Sequence, residues 1–169
     1  MQSWNPWHGC HKISEGCQNC YVYRTDSRYG KDSGKVEKTS NFDMPLNRDR
    51  SGEWKLQNDG FAVATCLTSD FFIDEADQWR SDIWQIIKRR RDLDFFIITK
   101  RIHRFYERLP EDWGNGYDNV IIGCTCECQR TADFRLPIFL EAPIKHKVII
   151  CAPVSYTHLR AHETEADLV

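Results

Sequence analysis

Four short apolar runs, each separated from the next by a helix-length or loop-length segment, constrain this chain more than any other feature. They are FAVATCLT (61–68), FFIIT (95–99), NVIIGCT (119–125) and KVIICA (147–152). Each is rich in β-branched residues and apolar on both faces, the pattern of a buried strand. Between the first two lies DEADQWRSDIWQIIKRRRD, where Ala76, Trp79, Ile83 and Ile86/Ile87 recur at helical spacing. That spacing predicts an amphipathic helix, capped by Asp70 or Asp74. KRIHRFYERLP reads as a short helix stopped by Pro110, and QRTADFRLPIFLEA (129–142) as a helix that Pro137 bends or splits. A short strand around Ser3–Trp7 brings the β units to five. Such alternation argues for a parallel sheet covered by helices. The expected fold class is α/β, a partial parallel (β/α) barrel truncated after about the fifth strand. A doubly wound sheet is the alternative, although the chain has no Gly-rich phosphate loop of the Rossmann or P-loop kind.

The remaining segments are less regular. YVYRTDSRYG (21–30) predicts a short helix ended by Gly30, and the polar stretch 31–60 reads as an irregular insertion with a turn at NRDRSGEW. The last segment, VSYTHLRAHETEADLV, is unlike the rest and resembles a translated sequencing-adapter tail. The expected domain is therefore 1–153, with 154–169 a non-native tail whose His158 and His162 carry no metal role.

Composition excludes several classes. A chain of 169 residues with 41% hydrophobic and 12% aromatic content can bury a core and is not disordered. Its net charge of −2 creates no global field toward nucleic acid or membrane. No apolar run approaches the ~20 residues that cross a bilayer. The start, MQSWNPWHGC, lacks the basic and apolar regions of a signal peptide, so a cytoplasmic location with reduced thiols is expected.

Within CHKISEGCQNCY, Cys10, Cys17 and Cys20 stand with six and then two residues between them. Clustered thiols in a reducing compartment point to metal or redox chemistry. Three thiolates leave one position of a tetrahedral site open. Structural zinc would fill it with His8 or His11; a [4Fe–4S] cluster would leave its fourth iron for a ligand. Gly9 and Gly16 remove side chains where the loop must wrap closely. Spacing alone leaves both metals open. Cys124, Cys126 and Cys128 alternate and would share one face of an extended strand, either as a second metal site or as small buried residues; Cys66 and Cys151 read as core. The KRRR run (88–91) suits a helix C-terminus, as a solvated face or as a nucleic-acid patch extended by Arg101 and Arg104.

The blocks WNPWHGCHKISEGCQNCY, CLTSDFF, FFIITKR, DNVIIGCTCE and DFRLPIFLEAPIKHKVIICAP together resemble the phage-associated three-Cys-motif proteins, a family of unknown function similar to radical S-adenosylmethionine (SAM) enzymes. The resemblance spans residues 1 to about 153. It implies a radical SAM-type partial barrel, a [4Fe–4S] cluster held by Cys10, Cys17 and Cys20, and SAM bound at the open iron. The common radical SAM motif has three residues, not six, between its first two cysteines. The implied chemistry is reductive cleavage of SAM to a 5′-deoxyadenosyl radical that acts on an unknown substrate, with a nucleic acid or nucleotide as the candidate and a protein partner encoded nearby as a further expectation. The alternative is a zinc-stabilised phage nucleic-acid-binding module without catalysis.

If the cluster sits at the carboxyl ends of the strands, strand-end residues become the cofactor-binding candidates. Ser69 and Asp70, beside Thr68, follow the first long run; Thr99, Lys100 and Arg101 end the second; Glu127, beside Thr125, follows the third. Hydroxyls and carboxylates suit the amine and ribose of SAM, and Arg or Lys suits a carboxylate or phosphate. The structural reading of Asp70 and Thr99 is helix capping, and that of Lys100 and Arg101 a solvated helix start. Trp4, Trp7 and Tyr21 are expected either to shield the cluster or simply to pack the core.

Overall fold

The computed structural model of the chain describes residues 2–152. The segment 154–169, expected to be foreign, lies outside the described residues together with His158 and His162.

Five strands form one parallel sheet: β1 (Ser3–Trp4), β4 (Val63–Thr65), β5 (Phe95–Thr99), β6 (Val120–Thr125) and β7 (His146–Ile150). Two others, β2 (Trp7–His8) and β3 (Glu37–Lys38), make a separate antiparallel ribbon. The helices are α1 (Tyr21–Arg28), α2 (Asp77–Arg89) and α3 (Gln129–Glu141). Parallel pairing is in direct sequence order, β1-β4-β5-β6-β7, with Ile97 opposite Ile122 and Gly123 opposite Val148. The order never reverses, so among the described residues there is no switch point of the kind a doubly wound sheet requires.

One face of this sheet carries the core. Val63, Phe95, Ile97, Val120, Ile122 and Cys124 form a single buried cluster with Ile83, Trp84 and Ile87 of α2 and Ala132 and Phe139 of α3. Both helices therefore pack on the same face, as right-handed crossovers in a sheet wound in one direction place them. The opposite face, with Phe96, Ile98, Ile121 and Ile150, is only half-buried. The sequence pattern suggested burial on both faces, since it registers apolarity and not the presence of a covering layer.

Three further expectations change. The strand expected at Ser3–Trp7 is two, divided at Asn5-Pro6: β1 joins the main sheet and β2 turns away to pair with β3, part of the segment taken as irregular. The run 61–68 yields only three strand residues, because Cys66 adopts a left-handed φ of 60° and ends the ladder. KRIHRFYERLP holds a single 3-10 turn, Ile102–Arg104, followed by irregular turns. There, tertiary contacts override helix propensity. Arg104 Nε donates to the Phe72 carbonyl at 3.0 Å, and Phe105 is fully buried edge-on to Phe72 and Trp113. By contrast α3 runs unbroken through Pro137, and α1 ends where Gly30, at φ 63°, takes the left-handed position favoured after a helix.

Arginine anchors the irregular segments. Arg80, fully buried, donates from Nε to the Phe71 carbonyl (3.0 Å) and from Nη2 to the Ile73 carbonyl (2.6 Å), and pairs with Asp77 (2.6 Å). Arg90, read as part of a solvated basic run, is instead buried and donates to the Leu56 and Pro45 carbonyls, fastening 31–60 to the end of α2. Arg80→Ala strips two buried carbonyls of their donors and leaves Asp77 short of a partner. Urea denaturation should register a loss of about 3 kcal/mol or more, and a loss below about 1 kcal/mol would contradict this anchoring role.

Candidate functional site

The carboxyl ends of β4, β5 and β6 and the loop after β2 enclose one cavity of about 210 Å³. Cys10, Cys17 and Cys20 all line it, with Ser69, Asp70, Thr99, Lys100, Arg101 and Thr125. All three cysteines of the motif and every strand-end candidate read from the sequence thus line this one cavity, Thr68 included, except Glu127.

The cysteine loop has little regular structure, only a 3-10 turn at Glu15–Cys17, and is fixed by hydrogen bonds from outside. Tyr23 Oη donates to the Cys10 carbonyl and Ser69 Oγ to the Gly9 carbonyl. Cys10 N donates to the Ser33 carbonyl at 2.8 Å. Gly9 is required: at φ 95°, a Cβ there would lie 2.1 Å from the Lys35 carbonyl oxygen.

Asp70 ties this loop to the sheet. Its Oδ1 accepts from Thr99 Oγ1 (2.7 Å) and from Phe72 N (3.0 Å), its Oδ2 accepts from Lys100 N (2.8 Å), and Arg101 lies 3.5 Å away. Trp7, fully buried beneath, donates its indole N–H to the Asp70 carbonyl at 3.2 Å. Arg101 then reaches the loop, donating to the His11 carbonyl (2.7 Å) and to Cys10 Sγ (3.5 Å). Ser69, Asp70, Thr99 and Arg101 accordingly spend their polar groups on the walls of the cavity. Sequence could place these residues at strand ends but could not tell which were already partnered.

Two groups differ. The Lys100 ammonium has neither a hydrogen bond nor an ion pair among the described residues, and its charge acts on Cys17. Thr125 Oγ1 is buried without a hydrogen-bond partner, an arrangement that costs free energy unless a ligand supplies the partner. Cys66, read as core alone, also lines the cavity, and its left-handed backbone gives no signal in the sequence.

Burial pushes the Cys10 thiol up to about 11, with Arg101 acting against the rise. Burial also opposes the Cys17 thiolate, but hydrogen bonds from the Ile13 backbone and from Ser14, helped by Lys100, outweigh it and bring Cys17 below the usual thiol value. Both histidines weighed as a fourth zinc ligand are engaged elsewhere. His8 Nε2 lies 2.8 Å from Asp26 Oδ2, and His11 bonds Glu75. Among the described residues, no group of three or more His, Cys, Asp and Glu side chains is already spaced to hold a metal ion. What the cavity offers a metal is therefore a donor set, three thiols beside two cations, and not a closed tripod.

The second cysteine group disperses. Cys124 and Cys126 are buried, while Cys128 caps α3 with its Sγ 3.5 Å from Thr131 Oγ1; Cys151, expected in the core, is exposed. Among the described residues, no helix is long and apolar enough to cross a membrane.

The profile of a family described as a protein of unknown function, DUF5131, matches residues 1–161. The chain belongs to the DUF5131 family. No curated protein and no solved structure matches it.

In this DUF5131 chain Glu127 forms a buried ion pair with Arg135 at 2.6 Å, and Arg135 also donates to the Thr125 carbonyl. Burial opposes ionisation of Glu127, but the hydrogen bond from Ser14 and the Arg135 guanidinium hold its carboxyl below the usual value. A depressed carboxyl stabilises the fold above the unfolded value of about 4.3 and loses that contribution as pH falls through the folded value. Glu127→Gln should cost about 3 kcal/mol at pH 7 by urea denaturation, with the gap to wild type closing below about pH 4. A gap that stays constant across that range would contradict the ion pair's contribution.

Proposed function

We propose that this protein is a radical SAM-type iron–sulfur protein on a partial (β/α) barrel, with Cys10, Cys17 and Cys20 as ligands of a [4Fe–4S] cluster. The observation that carries this reading is the convergence of the three thiols on one cavity at the carboxyl ends of parallel strands, where (β/α) barrels keep their active sites. Winding in a single direction and helices on one face agree with a barrel segment.

The donor chemistry fits. Three thiols without an accompanying imidazole suit a cluster with one open iron better than four-ligand zinc. Arg101 and Lys100 supply positive charge beside a thiolate-rich anionic group, and the orphan Thr125 hydroxyl provides a hydrogen bond for a polar ligand. When bound, the cluster supplies the electron for reductive cleavage of SAM to a 5′-deoxyadenosyl radical, chemistry that belongs to the cofactors. The chain's part is to orient and exclude. Asp70 and Arg101 set the height of the cysteine loop, Ser69 and Tyr23 hold its carbonyls, and Trp7 and Phe71 pack a dry floor under Asp70. The natural setting of such chemistry is the reducing cytoplasm.

Anaerobic reconstitution with iron and sulfide should give a brown protein with about four irons per chain that cleaves SAM on reduction with dithionite. Cys10→Ala, Cys17→Ala and Cys20→Ala should each lose the chromophore, while His8→Ala and His11→Ala keep it. Zinc that is released by the histidine variants would instead establish the zinc-stabilised, nucleic-acid-binding alternative. Thr125→Val tests the orphan hydroxyl. Its stability should stay within about 1 kcal/mol of wild type while SAM affinity, read by equilibrium dialysis, falls about tenfold. Unchanged SAM affinity would show that the hydroxyl does not face the ligand.

A further inference from the structure

A second cleft, of about 400 Å³, opens beside the cysteine cavity and shares Lys100 with it. Ser14, His103, Arg130 and Phe134 also line it, and its lining includes neither a cysteine nor a carboxylate. The volume falls in the range of about 300–1,000 Å³ typical of small-ligand sites.

Two features of this cleft suit a ligand. Phe134, on α3, is 57% exposed, and its ring stands 5.9 Å from the His103 ring. An exposed aromatic ring at the mouth of a cleft offers a surface on which a planar ligand can stack. The second feature is charge. Arg135 is neutralised by Glu127, and Arg130 meets Glu15 only in a pair that is about two-thirds exposed on both sides, worth little in water. Lys100 has no anionic partner among the described residues. The cleft thus sets the exposed Phe134 ring beside Lys100, which has no anionic partner among the described residues, and Arg130, whose pair with Glu15 is solvent-exposed. His103 does not add to that charge, since burial, with Arg101 and Arg104, holds its imidazole below the usual value.

We infer that this cleft binds a nucleotide unit, its phosphate against Lys100 and Arg130 and its base against Phe134 and His103. An aromatic face accepts any base, and cations beside it track the phosphate, the combination that single-strand-binding proteins use. As the substrate site of the neighbouring cavity, the cleft rests on the functional reading given above. As a binding site it does not, because no cysteine lines it.

The test uses the whole chain without metal and AMP as the probe, by isothermal titration calorimetry. AMP should bind, with inorganic phosphate alone and adenosine alone each at least about tenfold weaker. Phe134→Ala and Arg130→Ala, both at exposed positions that leave the core intact, should each weaken AMP about tenfold. Adding SAM should leave AMP affinity unchanged. Comparing AMP with a 5′-phosphorylated single-stranded oligonucleotide identifies the source: tighter binding of the oligonucleotide assigns a strand end, and equal or weaker binding a free nucleotide. Phosphate binding as tightly as AMP, affinity indifferent to both substitutions, or displacement of AMP by SAM would each overturn the proposal. Absence of a cluster, by contrast, would end the radical SAM reading and leave this result standing.

Discussion

The carboxylate of Asp70 is the contact on which the site depends. It lies in the loop after β4, yet it receives the Thr99 hydroxyl and the Lys100 amide from the end of β5. It also stands against Arg101, which reaches on to Cys10 and the His11 carbonyl. Two strand ends and the cysteine loop are thereby linked through one buried, charged network. Such networks are stable only when every member is partnered, and removing one leaves a charge stranded in low dielectric. The loop has almost no regular structure of its own, so the placement of its thiols is borrowed from the sheet.

The elements legible in the sequence were those whose signal is local. FFIIT is β5 residue for residue, and the 3.6-residue spacing of Ile83, Ile86 and Ile87 located α2. Elements governed by distant contacts were not legible. The segment after Lys100 has helical composition, but Arg104 and Phe105 are drawn into the core and the helix does not form. Cys66 reads as an ordinary strand residue, and nothing in its neighbours announces a positive φ. Arg90 looks like one of four surface cations and proves to be the anchor of a 30-residue insertion, because burial of an arginine depends on carbonyls that fold against it from elsewhere in the chain.

The site was half visible in the same sense. The sequence placed polar residues at strand ends, and the parallel topology gathers them around the three thiols. It could not rank them. Among Lys100 and Arg101, neighbours of equal charge, one is consumed in the Asp70 network and the other is left over between two cavities. Among the threonines, Thr99 is bonded and Thr125 is orphaned. That division between groups that build the walls and groups that remain for a ligand appears only in three dimensions. It directs attention to Thr125 and Lys100 rather than to the more conspicuous Asp70.

What the three thiols hold is tested most directly by electron paramagnetic resonance of the protein, isolated without oxygen and reduced by one electron. A cluster held by Cys10, Cys17 and Cys20 with one open iron should give the spectrum of a reduced iron–sulfur centre that changes shape when SAM is added. A protein that carries zinc bound to thiolates and an imidazole, with no cluster signal, would contradict that assignment.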